Sequence, residues 1–104
     1  MSVGYESAII YGVKCNPSAW GYEEMECMED KGWDVIYDNY SGDFLYIGKM
    51  LSHACLGEEV QHEVSGFYDF DISKIIEDIP DNIFRNAFAE GGAFPRLYHI
   101  CYAT

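Results

Sequence analysis

The spacing of apolar residues predicts an α+β fold: one four-stranded, mainly antiparallel sheet with helices on one face. Three observations carry this expectation. Residues 5–13 and 96–102 alternate β-branched and aromatic side chains at strand period. Two further strand-like runs, 33–37 and 44–51, flank a segment of turn-forming residues. Helical period then governs Ile72, Ile75, Ile76 and Ile79, which recur at i, i+3, i+4 and i+7.

In the first strand Ser7, Ile9, Tyr11 and Val13 fall on one face, and Ala8, Ile10 and Gly12 on the other. Apolar groups on both faces mark a central strand. Asn16-Pro17 then reads as a helix start, with Asn16 as N-cap and Pro17 at the first helical position. The helix is expected over 17–30, with Trp20, Met25 and Met28 turned inward and Gly32 as its left-handed exit. Between the next two strands, Asp38-Asn39-Tyr40-Ser41-Gly42-Asp43 is turn chemistry, so they form a hairpin with a longer loop. The stretch of about 52–70 reads as an insertion between the third strand and the second helix. Gly57 and Gly66 punctuate it, and Val60, His62 and Val64 alternate as a short strand would. Pro80 should stop or kink the helix that begins at Asp71. Asp81 caps a second helical stripe of Ile83, Phe84, Ala87 and Phe88, closed by Gly91-Gly92. In the last strand Leu97, His99 and Cys101 alternate with Tyr98, Ile100 and Tyr102.

A right-handed crossover makes the first two strands parallel, and the third slots between them, antiparallel to both. This β-α-β-β-α-β order resembles the ferredoxin-like split βαβ fold, with both helices on one face of the sheet. The resemblance is topological, spans nearly all of residues 1–104 as a single domain, and carries no motif.

Composition narrows the function. Hydrophobic residues make up 49% of the 104 and aromatic residues 16%, enough to bury a core despite a net charge of −12. The 18 acidic residues against six basic ones repel phosphate backbones and anionic lipids, which argues against direct nucleic-acid or membrane binding. Met1 leads into Ser2, Val3, Gly4 and Tyr5 with no basic n-region, so secretory targeting is not expected, and no apolar run approaches the ~20 residues of a membrane span. Cys15, Cys27, Cys55 and Cys101 are scattered, with no C-x-x-C pair, which points to free thiols in a reducing cytoplasm.

Four constellations could carry chemistry. The acidic series Glu23, Glu24, Glu26, Glu29 and Asp30, continued by Asp34 and Asp38, is the candidate partner-binding set, with Tyr40 and Asp43 in the adjoining turn. Glu23, Glu26 and Asp30 sit at helical spacings of three and four, where like charges repel. The arrangement also puts negative charge at the helix C-terminal end, where the dipole disfavours it. A merely soluble acidic face also fits the composition, but it would not concentrate charge at that end. His53, Cys55, His62 and Glu63 are competent metal ligands without zinc spacing, and there is no calcium-loop pattern, so no metal or cofactor is expected. No nucleophile elbow, phosphate loop or dinucleotide fingerprint occurs. Cys101 and His99 share a strand face and become core residues if helices cover it, so no catalytic residues are expected. An enzyme using His53, His62 or His99 with a carboxylate is the weakest reading. Finally, Tyr11, Tyr37, Tyr46, Tyr98 and Tyr102 lie on strands. RNA-recognition domains stack bases on such residues, but with more basic support than Lys14, Lys49 and Arg96 provide, so protein contact is favoured.

These residues lead to a small acidic, non-enzymatic interaction protein, an inhibitor that docks the basic surface of a nucleic-acid-handling partner. In size and charge the chain is similar to phage-encoded inhibitors of host nucleases and defence systems, including anti-CRISPR proteins. The alternative is a small-molecule-binding or sensor module, homodimeric through sheet edges or an open face, with its pocket between the 52–69 segment and the sheet.

Overall fold

A computed structural model describes residues 5–38, 41–55 and 72–103. Its strands are β1 (Tyr5–Cys15), β2 (Asp34–Tyr37), β3 (Leu45–Cys55) and β4 (Arg96–Ala103). They form one sheet in the order β2-β3-β1-β4, and every neighbouring pair is antiparallel. The helices are α1 (Tyr22–Asp30) and α2 (Lys74–Asp78), with 3-10 turns at Pro17–Ala19 and Asp81–Asn86. The α+β class and the four antiparallel strands are therefore as expected. Among the described residues no helix is long and apolar enough to cross a membrane.

The helical segments depart from expectation. Asn16 does cap Pro17, accepting from the Ser18 amide at 3.3 Å, but only a 3-10 turn follows. Trp20 interrupts it, because its buried indole donates to the Ala87 carbonyl at 2.9 Å and fixes the chain in an extended conformation. Helix α1 begins afresh with Gly21 as N-cap and leaves through Gly32 at φ 93°. Helix α2 is short, and Pro80 ends it as expected. The second apolar stripe is a 3-10 turn rather than an α-helix; backbone hydrogen bonds tie Ala89 and Gly92 to Lys14 of β1, and Ala87 to Asn16 just beyond it. Strand β3 runs to Cys55, so the first residues of the expected insertion belong to the sheet. The rest of that insertion, with its possible strand at Val60, His62 and Val64, lies outside the described residues.

Each face of the sheet carries a core. On one face Val13, Cys15, Leu45 and Ile47 meet Met25 and Met28 of α1, Ile75 of α2, and Trp20, Trp33, Ile79 and Ala87. Both helices thus cover one face. Two contacts hold α2 to the α1–β2 connection. Trp33 Nε1 donates to the Asp78 carboxylate at 2.7 Å, and Lys31 Nζ donates to the Asp78 carbonyl at 3.0 Å. On the opposite face Ala8, Ile10 and Ile36 are buried beneath Phe44, Tyr46, Met50, Tyr98, Ile100 and Tyr102.

That second core forms because the sheet curls. Tyr102 pairs with Glu6, while Phe44 directly precedes Leu45, the partner of Cys15. Those ends of β1 would be about 30 Å apart in a straight strand. Yet the Phe44 and Tyr102 rings lie 6.1 Å apart, and Tyr46 and Tyr98 lie 4.8 Å apart. Two features allow the bend. A register irregularity falls between Ile9 and Ile10, where strands bend most readily. Next to it, Gly12 faces Gly48 across the ladder. A Cβ on Gly12 would sit 2.6 Å from the Gly48 Cα, so the two backbones close where no side chain fits.

The helices cover only the Val13–Cys15 end of their face. Leu97, His99 and Cys101 are consequently exposed, so the core placement expected of His99 and Cys101 if helices covered their face does not occur.

Candidate functional site

The curl brings the far end of the sheet to the edge strand β2, where a cleft of about 370 Å³ opens. Helix α1 supplies one wall through Tyr22, Met25, Glu26 and Glu29. Their spacing places them along one side of the helix, with Met25 reaching into the core and Tyr22, Glu26 and Glu29 at the surface. Val35, Ile36 and Tyr37 of β2 form the floor, and Glu6 and Tyr102 close the opposite side. Because β2 is an edge strand, residues of both its faces border the cleft.

The lining combines three carboxylates, three tyrosine rings and an aliphatic floor. Tyr22 and Tyr37 meet edge to face, ring centroids 6.5 Å apart and planes at 82°, and so make an aromatic corner. Glu6 lies 3.3 Å from His53 Nε2 on the neighbouring strand. The carboxylates do not converge as metal ligands would. Among the described residues no group of three or more His, Cys, Asp and Glu side chains is placed to hold a metal ion. Two of the basic side chains are engaged elsewhere. Lys49 donates to the Gly32 carbonyl with its ammonium 5.3 Å from the Trp33 ring, and Lys14 stands 6.0 Å from the Tyr46 ring. Burial raises the Tyr46 hydroxyl above its ordinary range, which keeps that ring neutral.

The nine candidate partner-binding residues separate into groups. Glu26 and Glu29 line the cleft. Glu23 and Asp30 are exposed on α1 but do not line it. Glu24 is half-buried and accepts from Asn82 Nδ2 at 3.2 Å, a link between α1 and the second 3-10 turn. Asp34 is structural, its carboxylate accepting the Met50 amide at 2.7 Å. Asp38 organises the hairpin turn, accepting from the amides of Ser41 and Asp43 at 3.2 Å each and from the Ser41 hydroxyl. Asp43 takes a second contact from that hydroxyl at 2.8 Å. Tyr40 lies outside the described residues.

Sequence reasoning missed Glu6 and Tyr22, and placed Tyr37 and Tyr102 on the sheet without joining them to the acidic helix. One signal was available for Glu6, the lone carboxylate of the central strand. The sheet tyrosines also divide: Tyr46, Tyr98 and Tyr102 cover the second core, whereas Tyr37 packs against the helix-side core. The pocket expected beside the 52–69 segment falls mostly on residues 56–71, outside those described.

Elsewhere, Ser7 Oγ and His99 Nε2 lie 2.8 Å apart on the exposed half of the helix-side face, the reverse side of β1 from Glu6. No family model, curated protein or solved structure matches the chain.

Proposed function

We propose that the chain is a small acidic, non-enzymatic interaction protein that docks a basic surface of a partner protein through α1 and the β2 edge. The observation that carries this reading is the joint exposure of Glu23, Glu26, Glu29 and Asp30 on α1, a helix with no basic residue in its last turn. Such charges repel one another, and those at the C-terminal end also oppose the helix dipole. A cationic partner relieves both costs and is steered toward the face before contact. Nucleic-acid-binding channels are the protein surfaces richest in such cations. The partner is therefore a nucleic-acid-handling enzyme in the cytoplasm, and the action is competitive inhibition, in the manner of phage-encoded anti-defence and anti-CRISPR inhibitors. The same reading takes the scaffold as a reduced ferredoxin-like split fold. The order β2-β3-β1-β4 supports it, with α2 shortened to little more than a turn.

The test is a tagged pull-down from host lysate, washed at low and high salt, with the parent beside a Glu23→Lys, Glu26→Lys, Asp30→Lys variant. A nucleic-acid-handling protein that leaves as salt rises, and that the variant does not retain, supports the reading. A partner held equally by both proteins overturns it.

A further inference from the structure

Resting on that acidic-docking reading, we infer that the cleft between α1, the β2 edge and the Glu6–Tyr102 end of the sheet is a socket for one long basic side chain of the partner. Charge complementarity argues for this occupant. Glu6, Glu26 and Glu29 border a single space, contributed by elements brought together only by the curl of the sheet. Their spacing excludes a compact metal ion but leaves room for a cation carried on a stem.

The rest of the lining fits the stem. Lysine and arginine bury their methylenes along apolar surface while the charged head stays among polar groups. Met25, Val35 and Ile36 offer that apolar surface, and the carboxylates flank it. The Tyr22–Tyr37 corner and Tyr102 add ring faces, which attract an ammonium or guanidinium through the ring quadrupole. At about 370 Å³ the cleft lies at the small end of ligand sites, suited to one side chain and its flanking backbone. A socket of this kind would anchor the docked partner, while Glu23 and Asp30 outside it contribute steering.

The 104-residue chain, labelled with nitrogen-15, is titrated by NMR with the Nα-acetyl methylamides of lysine and arginine. Nε-acetyl-lysine and citrulline derivatives serve as neutral counterparts. The expected result is saturable shifts at the amides of Tyr22, Met25, Glu26, Glu29 and Tyr37 with either basic probe, weakened by salt and absent with both neutral probes. In a Glu26→Gln, Glu29→Gln variant affinity should fall about tenfold or more, as the cation loses charge-assisted partners. Both positions are exposed, and a melting curve on the variant confirms that it remains folded. Shifts of equal size with the neutral probes, or shifts scattered away from the cleft, overturn the socket. So does binding unaffected by the Gln substitutions. The two readings fail separately. A partner lost on Glu23→Lys, Asp30→Lys but unchanged by Glu26→Gln, Glu29→Gln leaves the acidic face standing and removes the socket as its anchor.

Discussion

Cys15 sits at the end of β1 in the helix-side core, 1% exposed, and burial pushes its thiol from 9.0 up to about 12. The folded state then holds this proton more tightly than the unfolded chain does. Its contribution to stability is whole below pH 9 and is lost progressively as pH rises from 9 toward 12, at most about 4 kcal/mol. Urea unfolding at about pH 8 and about pH 11 should show a steep alkaline loss in the parent. A Cys15→Ala variant should start lower, because of the cavity, and lose less over the same interval. An equal alkaline loss in both proteins would show that other groups control the transition. Thiol labelling gives a parallel readout: among Cys15, Cys27 and Cys101, exposed Cys101 should react first and Cys15 only on unfolding. Alternation placed Cys101 and His99 on one strand face from sequence alone. Their exposure was not legible, because local period does not reveal how far a helix extends across a sheet.

At the scale of elements, the strands were more legible than the helices. The strands and the hairpin follow from period-two patterns and turn residues, signals that sit within a few positions of one another. The break between Pro17 and Tyr22 depends on a hydrogen bond from Trp20 to Ala87, a partner far along the chain, which no local window contains. The curl of β1 and β3 is a similar case. Gly12 and Gly48 were recognisable as strand glycines, but their pairing across the ladder was not. They give the sheet its clearest point of failure. A Cβ on Gly48 would stand 2.5 Å from the Gly12 Cα and closer to the Tyr11 carbonyl, both backbone atoms that cannot rotate aside. Gly12→Ala and Gly48→Ala should each cost about 3 kcal/mol or more, as overpacking forces the strands apart. Chemical denaturation measures this directly. Gly91→Ala is the contrast, since nothing lies within 4 Å of a Cβ there and only its φ of 71° resists the change. If all three variants lost equal stability, close strand approach would not be the reason for the paired glycines.

For the whole molecule, a charge of −12 on 104 residues stores self-repulsion that folding concentrates. Composition revealed this charge, and the acidic series on the helix included Glu26 and Glu29, but the cleft needed Glu6 and Tyr102 delivered from the other end of the sheet. The candidate site was thus legible on its helical side only. The distribution of charge also sets how stability responds to salt. Added sodium chloride should raise the melting temperature, because screening at about 0.15 M already shortens the electrostatic range to roughly 8 Å. Neutralising Glu29 and Asp30 together, as Glu29→Gln, Asp30→Asn, in the last turn of α1, should raise the low-salt melting temperature and flatten the salt response. Each carboxylate contributes tenths of a kcal/mol at a helix end that disfavours it. A thermal scan across a salt series measures both effects. A variant with the parent's melting temperature and salt slope would mean that the repulsion is spread evenly over the surface. An elevated melting temperature with weakened partner binding would place strain and recognition in the same carboxylates, so that α1 holds its charge at a cost that only a cationic partner removes.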